Sequence, residues 1–287
     1  MSSKLSKIFE FLFIKHYKKI IIVPILILLF NLLPMLYNFY QTGKPFNLGI
    51  DITGGIKITV KNANIDENIL REICKVNCEI KKIVTFGKLS GYELYYPENV
   101  NIDNIKNYLI QNGVKEENIV IGKFSGKVGM SLFKTLIIIL IIGFILVTVV
   151  VYYYFRSILP AISITFSTFM DMVNILGTLT LLNIPISLIT ITALLMLIGY
   201  SEDSDTLLAT YLYKRHGKLD ERLKKAFQIE MKEDIAAVIV FVLMIIISKI
   251  DLIRILALTL LLGIIYDVID TWMFTGPIQR IIIERRK

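Results

Sequence analysis

The sequence predicts a membrane α-helical protein: six transmembrane helices, with one extracytoplasmic α+β domain of ferredoxin-like βαββαβ order between the first and the second. Three observations carry this. Of the 287 residues, 55% are hydrophobic, and the mean hydropathy is +0.65, too apolar for a soluble chain of this length. The apolar residues gather into six runs, most of them near the roughly 20 residues that carry a helix across a bilayer. A single polar stretch of domain size, residues 41–127, separates the first run from the other five.

Residues 1–19 carry five lysines, and the apolar run of residues 20–40 follows. A secretory signal is the competing reading, but the run is too long for a signal core and no small-x-small cleavage site follows it. It reads as the first membrane helix, with Pro24 and Pro34 as expected kinks. Within 41–127 the alternation predicts strand Ile56–Val60, helix Ile65–Lys75, strands Glu79–Phe86 and Tyr92–Tyr96, helix Ile102–Gln111 and strand Asn118–Phe124. Gly87, Ser90 and Gly91 mark a hairpin, and Asn64 reads as a helix N-cap. Cys74 and Cys78 read first as small core residues and second as a disulfide of an oxidising compartment. Five further helices are expected at about 130–154, 158–182, 186–209, 235–250 and 252–275; the last two are separated only by Ser248–Asp251, a tight helical hairpin.

The net charge of +8 does not point to nucleic acid, because the cations sit beside apolar runs. Seventeen lysines and arginines lie in residues 1–19, at Arg156, in 211–233 and in 279–287; the opposite short loops hold only Lys249 and Arg254. The positive-inside rule then puts both termini in the cytoplasm and 41–127 outside the plasma membrane. The loop 211–233 reads as a basic amphipathic helix that touches anionic lipid headgroups.

Acids inside apolar runs are the candidates for function. A charged residue at the centre of a membrane helix costs about 2.5–3.5 kcal/mol, so it marks a pathway or a buried partner. Asp171 interrupts the third helix; Glu202, Asp203 and Asp205 follow the uncharged run Ile184–Ser201 in the fourth; Asp267 and Asp270 lie in the last. Helical spacing puts Ile198, Glu202 and Asp205 on one face and turns Asp203 about 100° away. Counting from a turn at Ile184 sets Asp171 level with about Leu197. For Asp205 and Asp270 the plainer expectation is a helix end that reaches water. The sharper one is a carboxylate ladder that feeds Asp171, which alternates between its protonated and ionised forms.

Two motifs resemble a known family. Gly49, Asp51, Gly54 and Gly55 form the G-x-D-x-x-G-G signature of the SecD/SecF protein-export membrane proteins, and Ile198-Gly199-Tyr200-Ser201 is similar to the IGYS of the SecF branch in its archaeal form. The layout of one helix, one external domain and five helices is similar as well. The resemblance implies a subunit that pairs with SecD, assists the Sec translocon channel in moving unfolded secretory polypeptide, and draws on a proton or ion gradient; the superfamily is that of the resistance-nodulation-division transporters. It also implies a transport role for Asp171. The arginine that bacterial SecF carries about ten residues after the IGYS tyrosine is absent, since the chain reads Thr210-Tyr211-Leu212-Tyr213 there and its nearest cations are Lys214 and Arg215. The paired glycines read as a structural turn or, alternatively, as a hinge.

Two rival readings stand beside this one: a non-conducting scaffold of the translocon, which the absent arginine favours, and half of a small-solute exporter. The chain is not expected to be an enzyme, for His16 and His216 are solitary and no phosphate loop or nucleophile–base motif occurs. Neither a cofactor nor a metal site is expected.

Overall fold

The computed structural model describes residues 10–61, 65–74, 78–85, 88–97, 100–248 and 250–285. The chain falls into two compact units, a helical one (Met1–Asn47, Leu136–Ser248, Leu252–Lys287) and a sheet unit built on Leu48–Thr135.

The sheet unit follows the expected order: β1 (Gly55–Val60), α2 (Glu67–Ile73), β2 (Glu79–Thr85), β3 (Lys88–Tyr96), α3 (Ile102–Gln111) and β4 (Ile119–Phe124), after α1 (Ile22–Thr42) of the helical unit. The four strands form one sheet in the order β2-β3-β1-β4, with every neighbour antiparallel. Period-two alternation puts Ile56, Ile58 and Val60 on one face opposite Tyr96, Leu94 and Tyr92. Leu70 of α2 and Ile105 and Leu109 of α3 close the core over them. Burial pushes the Tyr96 phenol up to about 12, so it remains a neutral hydroxyl, 3.7 Å from Cys74 Sγ.

Four sequence expectations change here. Helix α2 starts at Glu67, because Asp66 caps it by accepting from Asn68 N at 3.0 Å; Asn64 lies outside the described residues. Ser90 and Gly91 are inside β3, beside a register shift at Ile83/Val84. A Cβ on Gly91 would lie 2.2 Å from Val60 O, so this glycine serves close strand approach and not a turn; Gly87 lies outside the described residues. Cys74 and Cys78 are joined as a disulfide, Cα atoms 4.9 Å apart, against the reading as plain core residues. Strand β3 also begins well before Tyr92.

The glycine motif is packed backbone against backbone. Gly49 begins a short helical turn, Ile50–Thr53, which Gly54 ends at φ 81° before Gly55 enters β1 at φ 155°. A side chain on Gly55 would strike Tyr96 O at 2.5 Å. The turn itself rests on the start of α4 (Gly126–Phe155): a Cβ on Gly126 would sit 2.4 Å from Thr53 O, and one on Gly129 2.1 Å from Asp51 O. The geometry is that of a structural joint, and Gly126 and Gly129 are its unforeseen half.

The helical unit continues with α5 (Ile158–Leu181), α6 (Leu188–Tyr213), α7 (Leu219–Ile247), α8 (Asp251–Asp270) and α9 (Gly276–Arg285). Among the described residues four helices are long and apolar enough to cross a membrane: Tyr17–Thr42, Gly126–Phe155, Ile158–Leu181 and Asp251–Arg285. Three acids in α6 and the charged first half of α7 set those two apart. Ser187 begins α6 with a capping box, its Oγ accepting from Thr190 N while Ser187 N donates to Thr190 Oγ1.

The basic segment is not a separate surface helix. Residues from Leu219 onward run without a break into the apolar half of α7, and Leu223, Ala226 and Phe227 pack on Leu208, Leu212 and Trp272. Arg222 Nη1 donates to Leu212 O at 3.0 Å and Arg215 O at 2.6 Å, closing the free carbonyls at the end of α6. Lys249 of the α7–α8 connection lies outside the described residues.

Candidate functional site

Seven carboxylates from four consecutive helices are buried in the helical unit: Asp171 of α5, Glu202 and Asp205 of α6, Glu230 and Asp234 of α7, and Asp267 and Asp270 of α8. Small residues allow the approach. Gly263 of α8 faces α6 so closely that a Cβ would lie 2.2 Å from Leu197 Cδ2.

Asp171 of α5 is held from α6. Ser201 Oγ donates to its Oδ2 at 2.8 Å. Having spent its one hydrogen there, Ser201 accepts from Thr168 Oγ1 at 3.2 Å. Thr168 Oγ1 is also 3.5 Å from Glu202 Oε1. Asp270 and Asp267 of α8 stand beside Asp171, and Asp267 and Glu202 stand beside Asp205. At the other side, Tyr200 Oη donates to Asp234 Oδ1 at 2.8 Å and Trp272 Nε1 to Glu230 Oε1 at 2.8 Å. Trp272 stands in a π-helical turn, Thr271–Thr275, wound directly after Asp270; such turns are frequent at functional positions.

The IGYS motif is therefore divided by function. Ile198 is buried, Tyr200 holds Asp234, Ser201 holds Asp171, and Gly199 is exposed with open space around it. Asp171 meets the side chain of Ser201, one turn along α6 from Leu197, the residue expected at its level. Side chains lean toward a helix's own N-terminus. In antiparallel helices that lean offsets facing residues by about one position on each, about half of the four-residue offset, and the length of the side chains bridges the rest.

Asp205 and Asp270 are fully buried, so neither is the water-reaching helix end expected for it. Their carboxyl oxygens, with Asp171 Oδ1, Asp267 Oδ2, Glu202 Oε2, Glu230 Oε2 and Asp234 Oδ2, find no hydrogen-bond partner among the described residues. Asp203 is exposed and stands outside the cluster. Asp51 and the glycines Gly49, Gly54 and Gly55 belong to the joint of the sheet unit and not to this site. Glu230 and Asp234 were hidden in the sequence by the lysines around them. Their signal is the face Leu223, Phe227, Glu230, Asp234, at spacings of four, three and four.

Among the described residues no ion pair reaches these seven carboxylates. Lys214 Nζ lies 3.2 Å from the Tyr154 ring centroid, and the Arg215 guanidinium 5.6 Å from that of Tyr211. Buried Arg280 pairs with Asp220 at 3.0 Å and Glu284 at 2.9 Å. A cluster of this kind can hold and pass protons. The described residues contain no group of three or more acids, histidines or cysteines arranged to hold a metal ion.

Comparison with known proteins follows the same lines. The sequence matches the family profile described as "Protein export membrane protein SecD/SecF, C-terminal" over residues 104–285 and that of the "SecD/SecF GG Motif" over residues 40–61. It is 29% identical over 272 residues to the protein-export membrane protein SecF of Methanolacinia petrolearia, covering 93% of this chain and 94% of that protein. With the SecF of Methanocaldococcus jannaschii it shares 32% over 279 residues, 93% and 96% of the two chains. Among solved structures, the translocon-associated membrane protein SecDF of Thermus thermophilus is similar in fold, with TM-score 0.70 and 18% identity over 94% of this chain. A second SecDF structure, in a "Super-membrane-facing form", gives TM-score 0.63 and 15% identity over 96% of this chain. The chain spans 38% and 39% of those two longer chains.

Proposed function

The chain belongs to the SecD/SecF family of protein-export membrane proteins, and from that premise we propose that it is a SecF-type subunit. In this reading it pairs with SecD and helps the Sec translocon channel move unfolded secretory polypeptide across the plasma membrane, at the expense of the proton gradient. All six long helices cross the membrane, acid-rich α6 largely buried among its neighbours and α7 turning Ile235, Ile239, Ile246 and Ile247 outward. Both termini and the basic segment lie in the cytoplasm, where exposed Lys218, Lys225 and Lys232 meet anionic lipid. Residues 41–127 form an external ferredoxin-like domain, a reading supported by the β2-β3-β1-β4 order and by a disulfide suited to an oxidising compartment.

The observation that carries the proton reading is the cluster of seven buried carboxylates drawn from four helices with no ion-paired cation among the described residues. Carboxylates so desolvated are costly to ionise together, so proton binding and release at Asp171 change the energetics of helix packing. Moving one charge through 100 mV supplies about 2.3 kcal/mol. The test is Asp171→Asn in vesicles reconstituted with SecD. Proton flux and gradient-dependent export should both disappear while the complex still assembles; a variant as active as the parent would sink the reading.

A second reading, the non-conducting scaffold, is favoured by the engagement of Lys214 and Arg215 with aromatic rings at the end of α6. The same measurement separates the two, because a scaffold shows no flux even in the parent protein.

A further inference from the structure

On α5, one turn outward from Asp171, a second buried polar group joins three helices. Asn31 of α1 donates from Nδ2 to Asn174 Oδ1 at 3.2 Å and to Tyr266 Oη at 3.2 Å. Tyr266 Oη and Thr178 Oγ1 are 2.6 Å apart, and Thr178 Oγ1 is 3.2 Å from Asn31 Oδ1. An amide nitrogen only donates and an amide oxygen only accepts. Donation around the ring therefore runs from Asn31 Nδ2 to Tyr266 Oη and from Tyr266 to Thr178 Oγ1, whose one hydrogen lies between Asn174 O at 2.9 Å and Asn31 Oδ1 at 3.2 Å. The second hydrogen of Asn31 fixes the Asn174 amide with its oxygen toward α1. That leaves Asn174 Nδ2 buried with two hydrogens and no acceptor among the described residues.

Asp171 and Asn174 are three residues apart, so they share a face of α5 with Cβ atoms about 5–6 Å apart. One has an unused buried acceptor, Oδ1, and the other an unused buried donor, Nδ2. Around Asp171 the ionisable neighbours among the described residues are acids: Asp270 of α8, which shares a proton with Asp171 while one of the two is protonated, Asp267 of α8, and Glu202 of α6 through Thr168. Ser201 supplies one donor to Oδ2. When Asp171 gives up its proton, the carboxylate needs a second.

We infer that Asn174 is a positioning residue for Asp171: its amide, oriented by the Asn31–Tyr266–Thr178 ring, donates to the ionised Asp171 and ties that charge state to α1. This rests on the proton reading of the site. The tie reaches α1 through tight packing, since a Cβ on Gly177 would lie 2.1 Å from Asn31 O. A neutral amide here does what a cation would otherwise do, at the cost of holding one buried donor unsatisfied while Asp171 is protonated.

The experiment uses the SecD complex of the full chain in lipid vesicles, with two readouts: gradient-driven proton flux, and the infrared carboxyl band that Asp171→Asn removes. Asn174→Val should lower flux about tenfold, the worth of one hydrogen bond to a charged group, and should displace the Asp171 band. Tyr266→Phe breaks the ring while keeping Asn174, and should displace the band in the same direction by less. If Asn174→Val does not assemble, Tyr266→Phe decides alone. A band unmoved in these variants, with flux still lost in Asp171→Asn, overturns this inference and leaves the proton reading intact. Flux unaffected by Asp171→Asn overturns both.

Discussion

The glycine joint and the carboxylate cluster are built on opposite terms. At the joint, Gly55, Gly126 and Gly129 let backbone touch backbone, with no room for a single methyl group. These backbone approaches are short range and set by shape. In the cluster, seven acids are buried with several carboxyl oxygens unpartnered among the described residues. Contacts there depend on which carboxyls carry a proton. The two family motifs fall one on each side of this division: G-x-D-x-x-G-G in the joint, and IGYS in the cluster, where Tyr200 and Ser201 each hold a carboxylate. The difference teaches that a motif's chemistry cannot be guessed from its most polar residue. Asp51 belongs to the close-packed turn, and a serine and a tyrosine hold the buried acids.

Substitutions that separate stability from transport would break or sharpen this contrast. The largest loss of stability is expected at the joint: Gly129→Leu must push α4 off Asp51, costing about 3 kcal/mol or more, visible as loss of the cooperative thermal transition of the detergent-solubilised protein. A tolerated leucine would show that the joint is loose. Next, removing the Cys74–Cys78 bridge with Cys74→Ser and Cys78→Ser should cost about 2 kcal/mol, as expected for a loop this short, read as a lower denaturation midpoint of the sheet unit with transport retained. Asn101 caps α3 by accepting from Asp103 N at 3.0 Å, so Asn101→Ala should cost about 1 kcal/mol on the same measurement. The smallest stability effect is expected in the cluster. Asp205→Asn and Asp270→Asn each replace an unpartnered carboxyl by a neutral amide of the same shape, so melting temperature should stay the same or rise while flux falls. A clear loss of stability in both would mean that these acids are structural, and the contrast would fail.

Much of the sheet unit was readable in advance, because its signals are local. Helix Ile102–Gln111 emerged with the boundaries expected, framed by Asn101 and Gly113. Order followed from alternation, and so did the strand positions apart from the early start of β3. What stayed hidden required contacts distant in sequence. Gly126 and Gly129 look like ordinary residues at a helix start until Asp51 and Thr53 are found against them. Glu230 and Asp234 were masked by neighbouring lysines, and Asn31 by the apolar run around it. Of the candidate acids, Asp171, Glu202, Asp205, Asp267 and Asp270 do converge and Asp203 does not. The burial of Asp205 and Asp270 is not legible in the sequence, because acids near the end of an apolar run commonly meet water and only contacts distant in sequence cover them here.

The wide turn at Thr271–Thr275 also constrains the length of the chain. It carries one residue more than an α-helical turn, so Gly276–Arg285 is phased by about 100° relative to a helix continued evenly from Asp270. Gly276, Pro277, Gln279 and Arg280 are the buried face in that phase, with Gln279 Nε2 3.3 Å from Ser163 Oγ. A single deletion there, even of half-buried Met273, would turn that face away while every named residue survived. The spacing between Asp270 and Gln279 is thus itself a working part, as definite as any side chain.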